Sequence, residues 1–118
     1  MQIVGYKKFY ELVELEPPLE KKYLTWESQP ITDTQKKALR KFGVGYTGCK
    51  TRGQASATLA LLITRANKKL ATPGQMLVLK SYGVEKVWSK DVFWTKQFLY
   101  AKAYRSKLPE YIAERIYG

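Results

Sequence analysis

The chain contains no histidine. That removes the commonest general base, the usual catalytic zinc ligand and every serine or cysteine triad that works through imidazole. Cysteine is almost missing as well. Cys49 stands alone, which excludes an intramolecular disulfide, fits a reducing compartment and marks the residue as a small loop or core side chain, not a reactive thiol. Long apolar runs are lacking too. The longest strongly apolar stretch, Leu59 to Ile63, falls far short of the ~20 residues a bilayer requires, and Met1 to Tyr10 has no apolar signal core. The expectation is a cytoplasmic protein, of the nucleoid or a host cell, with no membrane partner. Acids are few. Only Glu11, Glu14, Glu16 and Glu20 cluster, among Lys7, Lys8, Lys21 and Lys22, which neutralise them. No metal site, no cofactor, no catalytic residue and no enzyme is expected; a turnover lost on mutating Glu85 or Asp91 would reverse that reading.

What the chain does have is positive charge in one place. Residues 1–33 carry four lysines against six acids. Residues 34–107 carry sixteen lysines and arginines against Glu85 and Asp91 alone, a net of +14, and the remaining tail is nearly neutral. Such an excess repels itself and calls for a polyanionic partner. Nucleic acid ranks ahead of a membrane surface, because the cations are spread over several elements and not along one amphipathic helix.

The basic stretch is built on a duplication. Thr32-Asp33-Thr34-Gln35 with Leu39, Gly43 and Val44 returns as Thr72-Pro73-Gly74-Gln75 with Leu79, Gly83 and Val84, every pair at the same spacing as Thr32 and Thr72. Each copy reads as a capped helix: the threonine accepts from first-turn amides, the glutamine reaches back, and glycine ends the helix in a left-handed turn. Pro73 takes the favoured first helical position. A third box, Thr51-Arg52-Gly53-Gln54, opens a longer helix with an expected apolar stripe of Ala55, Leu59, Leu62, Ile63, Ala66 and Leu70. Its counterpart is expected near Ser89, with Trp88 and Phe93 as a hydrophobic staple, running through Tyr104 before Pro109 starts a last short helix. The organisation predicted for the single domain of 118 residues is mainly α. Residues 1–30 form an N-terminal arm or small β-hairpin, 31–70 and 71–108 two tandem helix-loop-helix repeats, and 109–118 a C-terminal helix.

Trp26, Pro30-Ile31-Thr32, Gln35, Leu39, Gly43, Thr51-Arg52-Gly53-Gln54-Ala55-Ser56, Leu70-Ala71-Thr72-Pro73, Gln75, Leu79 and Gly83 together resemble a small helical module of bacterial and phage DNA-processing proteins. That module has Thr-x-x-Gln and Thr-Lys-Gly-x-Ala-Ser helix starts and is similar to the helix-extended loop-helix units of the SAP and LEM families. The likeness covers about half the chain, from Trp26 to Gly83, and implies DNA binding; the second copy departs from it in having no Thr-Lys-Gly-like start.

Gly43 to Thr51 invites comparison with a phosphate loop, yet Cys49 intervenes before Lys50 and the loop follows a helix, so nucleotide hydrolysis is not expected. What survives is a candidate anion site at Lys50, Thr51, Arg52 and Gly53, where cations oppose the helix dipole and structure alone would not choose them. On the preceding helix Lys36 with Arg40, and Lys37 with Lys41, are like-charge pairs at four-residue spacing, which favours a solvent-facing phosphate track. Arg65, Lys68 and Lys69 form a further basic cluster, and Lys90 and Lys96 complete the candidate contacts. Tyr46, Tyr100 and Tyr104 are stacking candidates, the latter two on a stripe with Lys96 and Lys107. The function expected is nucleic-acid binding, DNA before RNA, in DNA processing or a nucleoprotein machine. The alternative is a protein-interaction module, such as a phage-encoded inhibitor or complex subunit, for which nine tyrosines and three tryptophans supply anchors.

Overall fold

A computed structural model describes residues 3–20 and 26–104, the side chains to residue 102. Among the described residues five helices follow one another: α1 (Tyr6–Val13), α2 (Asp33–Lys41), α3 (Arg52–Asn67), α4 (Pro73–Ser81) and α5 (Val92–Tyr104). Single 3-10 turns at Trp26–Ser28 and Val87–Ser89 precede α2 and α5. Among the described residues β-structure is limited to three isolated bridges, so the mainly helical class expected from the sequence holds.

Local chemistry starts α2, α3 and α4. Thr32, Thr51 and Thr72 are their N-caps, and in each case the threonine hydroxyl accepts from the amide of Gln35, Gln54 or Gln75 while that glutamine's carbonyl oxygen accepts from the cap amide. Helices α2 and α4 end alike, on Gly43 at φ 82° and Gly83 at φ 81°, a conformation costly for any residue with a Cβ.

The repeat persists beyond the matched sequence. Ile31 donates to the Lys50 carbonyl and Arg52 to that of Gln29; at the equivalent places of the second copy, Ala71 donates to Lys90 and Val92 to Lys69. The bridges Pro30↔Thr51 and Leu70↔Asp91 are equally matched. Asp91 therefore occupies the position of Thr51, and its carboxylate accepts from the Trp94 amide at 2.6 Å. The second long helix thus starts three residues later than the expected Ser89. Phe93 remains 74% exposed, which is not how a staple residue sits, and Trp88 instead donates its indole N–H to Glu14.

The N-terminal segment corrects the hairpin expectation: residues 6–13 are helical, and residues 15–20 have no regular structure. Tyr6, Phe9, Tyr10, Leu12 and Val13 are buried, and their three- and four-residue spacing makes one apolar face. That face joins the two repeats into one core. It packs on α4 and on the Val87–Ser89 turn, while the Tyr10 hydroxyl reaches Thr58 of α3 at 2.7 Å. The Thr58 proton is committed to the Gln54 carbonyl, so Tyr10 is the donor. Val4 pairs with Val44 in parallel, through bonds to Gly43 and Gly45. Phe9 is fully buried, and truncating such a ring costs roughly 3–5 kcal/mol.

The buried face of α3 is rotated from the expected stripe. Ala55 and Leu62 are buried as predicted and Leu59 is half-buried, but Ile63 and Ala66 face outward and Gln54, Thr58 and Arg65 turn inward. Arg65 is 7% exposed. Its guanidinium donates to the carbonyls of Trp88 and Ala71 and to the Met76 sulfur, at 3.0, 3.1 and 3.2 Å, tying α3 to both sides of the second repeat's loop. Burial lowers its proton affinity, though a guanidinium keeps its charge in proteins. The expected helix after Pro109 lies outside the described residues.

Candidate nucleic-acid interface

Of the sixteen cations between residues 34 and 107, Arg105 and Lys107 lie outside the described residues and Arg65 is buried. The other thirteen reach the surface, nine of them exposed and four half-buried. Helix α2 holds four. Leu39 is its fully buried residue, with Gln35, Ala38 and Phe42 half-buried beside it, while Lys37, Arg40 and Lys41 are exposed and Lys36 is half-buried. The cations thus share the outer face, as their spacing predicts.

A second group assembles where the loop meets α3. Gln35 donates to the Arg52 carbonyl at 3.2 Å, and Arg52 Nε donates to the Pro30 carbonyl at 3.3 Å. The Lys36 ammonium lies 5.2 Å from the centre of the Tyr46 ring, and Lys50 is exposed beside Arg52's cap in the chain. Lys36, Lys50 and Arg52, contributed by two elements, therefore border one corner. The second repeat forms a like corner by its own pairing. Lys69 and Lys90 flank the Leu70↔Asp91 bridge, with Lys68 exposed next to them. The two corners lie at opposite ends of α3, whose length is about 24 Å. Lys96 is exposed farther along α5.

Three expected contacts are revised. Arg65 does not belong to the surface cluster with Lys68 and Lys69, because its guanidinium is buried and its two terminal nitrogens donate inside the fold. Thr51 is 4% exposed and its hydroxyl is engaged in the capping box. Gly53 does not open the α3 N-terminus to a phosphate: a Cβ there would sit 2.9 Å from the Glu27 Cβ and 3.1 Å from its carbonyl oxygen. The neighbouring amides are also taken, those of Lys50 and Thr51 by Gln54 and that of Arg52 by Gln29. The phosphate-loop physics read from the glycines is thus redirected to packing. Lys50 and the Arg52 side chain remain at the surface as charges, without an amide cradle beneath them.

Among the aromatic candidates, Tyr46 packs partly against the core under Lys36, Tyr100 is 57% exposed, and the Tyr104 side chain lies outside the described residues. Two aromatics that the sequence did not single out as contacts stand here. Trp94 stacks on Phe98 at 5.2 Å and 16°, and the Lys90 ammonium stands 4.7 Å from its ring centre. Trp94 is thus engaged by both neighbours. Phe93, assigned to a staple, is instead the most exposed aromatic ring described.

The Cys49 thiol is 3% exposed and burial pushes its pKa up to about 11, which leaves it protonated and inert at neutral pH. No helix among the described residues is long and apolar enough to cross a membrane. No family model, no curated protein and no solved structure matches the chain.

Proposed function

We propose that this chain binds the phosphate backbone of nucleic acid, DNA in preference to RNA, as an accessory protein of DNA processing or of a nucleoprotein complex. One observation carries the reading: thirteen surface cations in a stretch whose two acids are Glu85 and Asp91, of which Asp91 is spent as a helix cap. Charge held at one sign is a standing cost to the fold, and a polyanion relieves it by releasing its condensed counterions. Lys36, Lys37, Arg40, Lys50, Arg52 and Lys90 are the positioning contacts, and base reading is minor because phosphate contacts carry no sequence. The likeness to helix-extended loop-helix modules supplies the preference for DNA.

The test is a salt titration of binding. Six phosphate contacts give a slope of log affinity on log salt of roughly −5 for duplex DNA. Replacing Lys37 and Arg40 by glutamine should reduce that slope by about 2 without lowering thermal stability, since both are exposed. Affinity constant from low to moderate salt would overturn the proposal.

A second reading, a protein-interaction module, is favoured by one feature: Leu19 at 89% and Trp26 at 53% exposure border a groove floored by Gly53, Ser56, Ala57 and Ala60. Recovery of one stoichiometric protein after nuclease treatment would support it.

A further inference from the structure

We infer that the outer face of α5 is a base-stacking platform that makes the protein select single-stranded over duplex nucleic acid, with Phe93 and Tyr100 as the stacking rings. This rests on the nucleic-acid reading above and names the strand form which that reading left open.

Phe93, Lys96, Gln97 and Tyr100 follow at three, four and seven residues, which places them on one side of a helix, and all four are exposed. Phe93 is 74% and Tyr100 57% exposed. Seven residues of helix separate the two rings by ~10 Å, about three stacked nucleotide steps at ~3.4 Å each. Lys96 stands between them, placed to meet a phosphate. The lysines Lys69 and Lys90 lie at the start of the same helix, brought there by the bonds from Val92 to Lys69 and from Ala71 to Lys90.

The choice of Phe93 over Trp94 and Phe98 follows from what those two are doing, and Tyr100 is chosen for its exposure beside Lys96. Trp94 is only partly exposed and is engaged by Phe98 and Lys90, and Phe98 is buried. Neither can take a base without repacking. Phe93 is the repeat equivalent of Gly53, the position that Glu27 closes in the first copy. The second repeat leaves that position open and fills it with a large ring, which burial does not explain. Positive charge around an exposed aromatic pair fits a strand whose bases expose their faces and whose phosphates supply the countercharge. In a duplex the base faces are already stacked on one another, so the rings gain nothing there.

The experiment uses the full chain, with a labelled thymidine strand of about 20 nucleotides, longer than the ~4 to 16 that one single-strand site covers, the same strand made abasic, and a duplex of equal length. Phe93→Ala and Tyr100→Ala should each weaken thymidine-strand binding by about tenfold. Duplex binding and the salt slope should stay unchanged, because no cation is lost. Phe93→Trp should bind the thymidine strand as the parent does, and the abasic strand should bind the parent as weakly as the thymidine strand binds the double variant Phe93→Ala with Tyr100→Ala. Alanine variants that hold the thymidine strand as tightly as the parent would overturn the stacking platform while leaving the phosphate reading intact. The platform fails in the same way if Phe93→Ala weakens strand and duplex equally. A parent protein that binds none of the three probes at low salt would sink both readings.

Discussion

The two repeats share a backbone and have opposite outer surfaces. Caps, bridges and helix-ending glycines agree at one constant offset along the chain. Yet Lys36 and Lys37 of α2 stand where α4 has Met76 and Leu77. Met76 is fully buried, whereas the Lys36 side chain retains 35% of its exposure. Helix α1 packs on α4 and has no packing of that extent on α2, and Met76 also meets the Arg65 guanidinium of α3. Covering one repeat required apolar residues there and freed its twin to carry charge. The second helices diverge in the reverse sense: Gly53 of α3 is closed over by Glu27, while Phe93 of α5 is open. On the proposed reading, phosphate contact concentrates on the first repeat's first helix and aromatic contact on the second repeat's second helix.

Exchanging matched residues is the most direct way to break this comparison. Met76→Lys buries an unpaired ammonium beside the Arg65 guanidinium and should destabilise the fold by roughly 3–5 kcal/mol, read as a large drop in denaturation midpoint. The reciprocal Lys36→Met should change stability by no more than about 0.5 kcal/mol and lower the salt slope of duplex binding by just under one. Equal effects of the two would show that α1 does not distinguish the repeats.

A smaller effect is expected at the second helices. Gly53→Ala gains ~1 kcal/mol of helix propensity but forces Glu27 backbone and side chain aside, an overpacking cost of roughly 1–3 kcal/mol, so the net should be a loss of about 1 kcal/mol. Phe93→Ala at the matched position should leave the melting temperature within error. The pair is checked by thermal denaturation of both variants side by side.

The smallest effect separates Cys49 from its counterpart Ser89, which is exposed. Burial raises the Cys49 pKa from 9.0 to about 11 and that of Tyr6 from 10.0 to about 12. Above pH 9 the unfolded chain loses these protons while the fold retains them, so stability should be level below about pH 9 and decline from there towards pH 12. Cys49→Ala should remove the earlier part of that decline and Ser89→Ala none of it, as urea midpoints across the pH series would report.

Legibility in the sequence follows the range of the interaction. The three threonine-glutamine boxes and the glycines at 43 and 83 act between near neighbours, so their residues announce them. The start of α5 lies later than the sequence suggests because Asp91 performs there what threonine performs elsewhere, and nothing nearby repeats the Thr-Arg-Gly-Gln pattern. Residues Ile3 to Leu15 fit helix and strand spacing about equally; helix wins because its face meets α4 and Thr58, partners from distant parts of the chain. Arg65 reads as a surface cation because arginine is seldom fully buried. Its acceptors, the carbonyls of Ala71 and Trp88, exist only once the second repeat has folded against α3.

The amino-acid order by itself determined where helices α2, α3 and α4 begin, how α2 and α4 end, and that one segment carries nearly all the excess charge, since capping, glycine conformation and charge count depend on near neighbours or on none. Tertiary structure decided which copy of the duplicated helix is covered, which glycine is closed and which aromatic is left in water. Those outcomes depend on α1 and the Trp26–Ser28 turn arriving from far along the chain, and no local pattern records where a distant element will land.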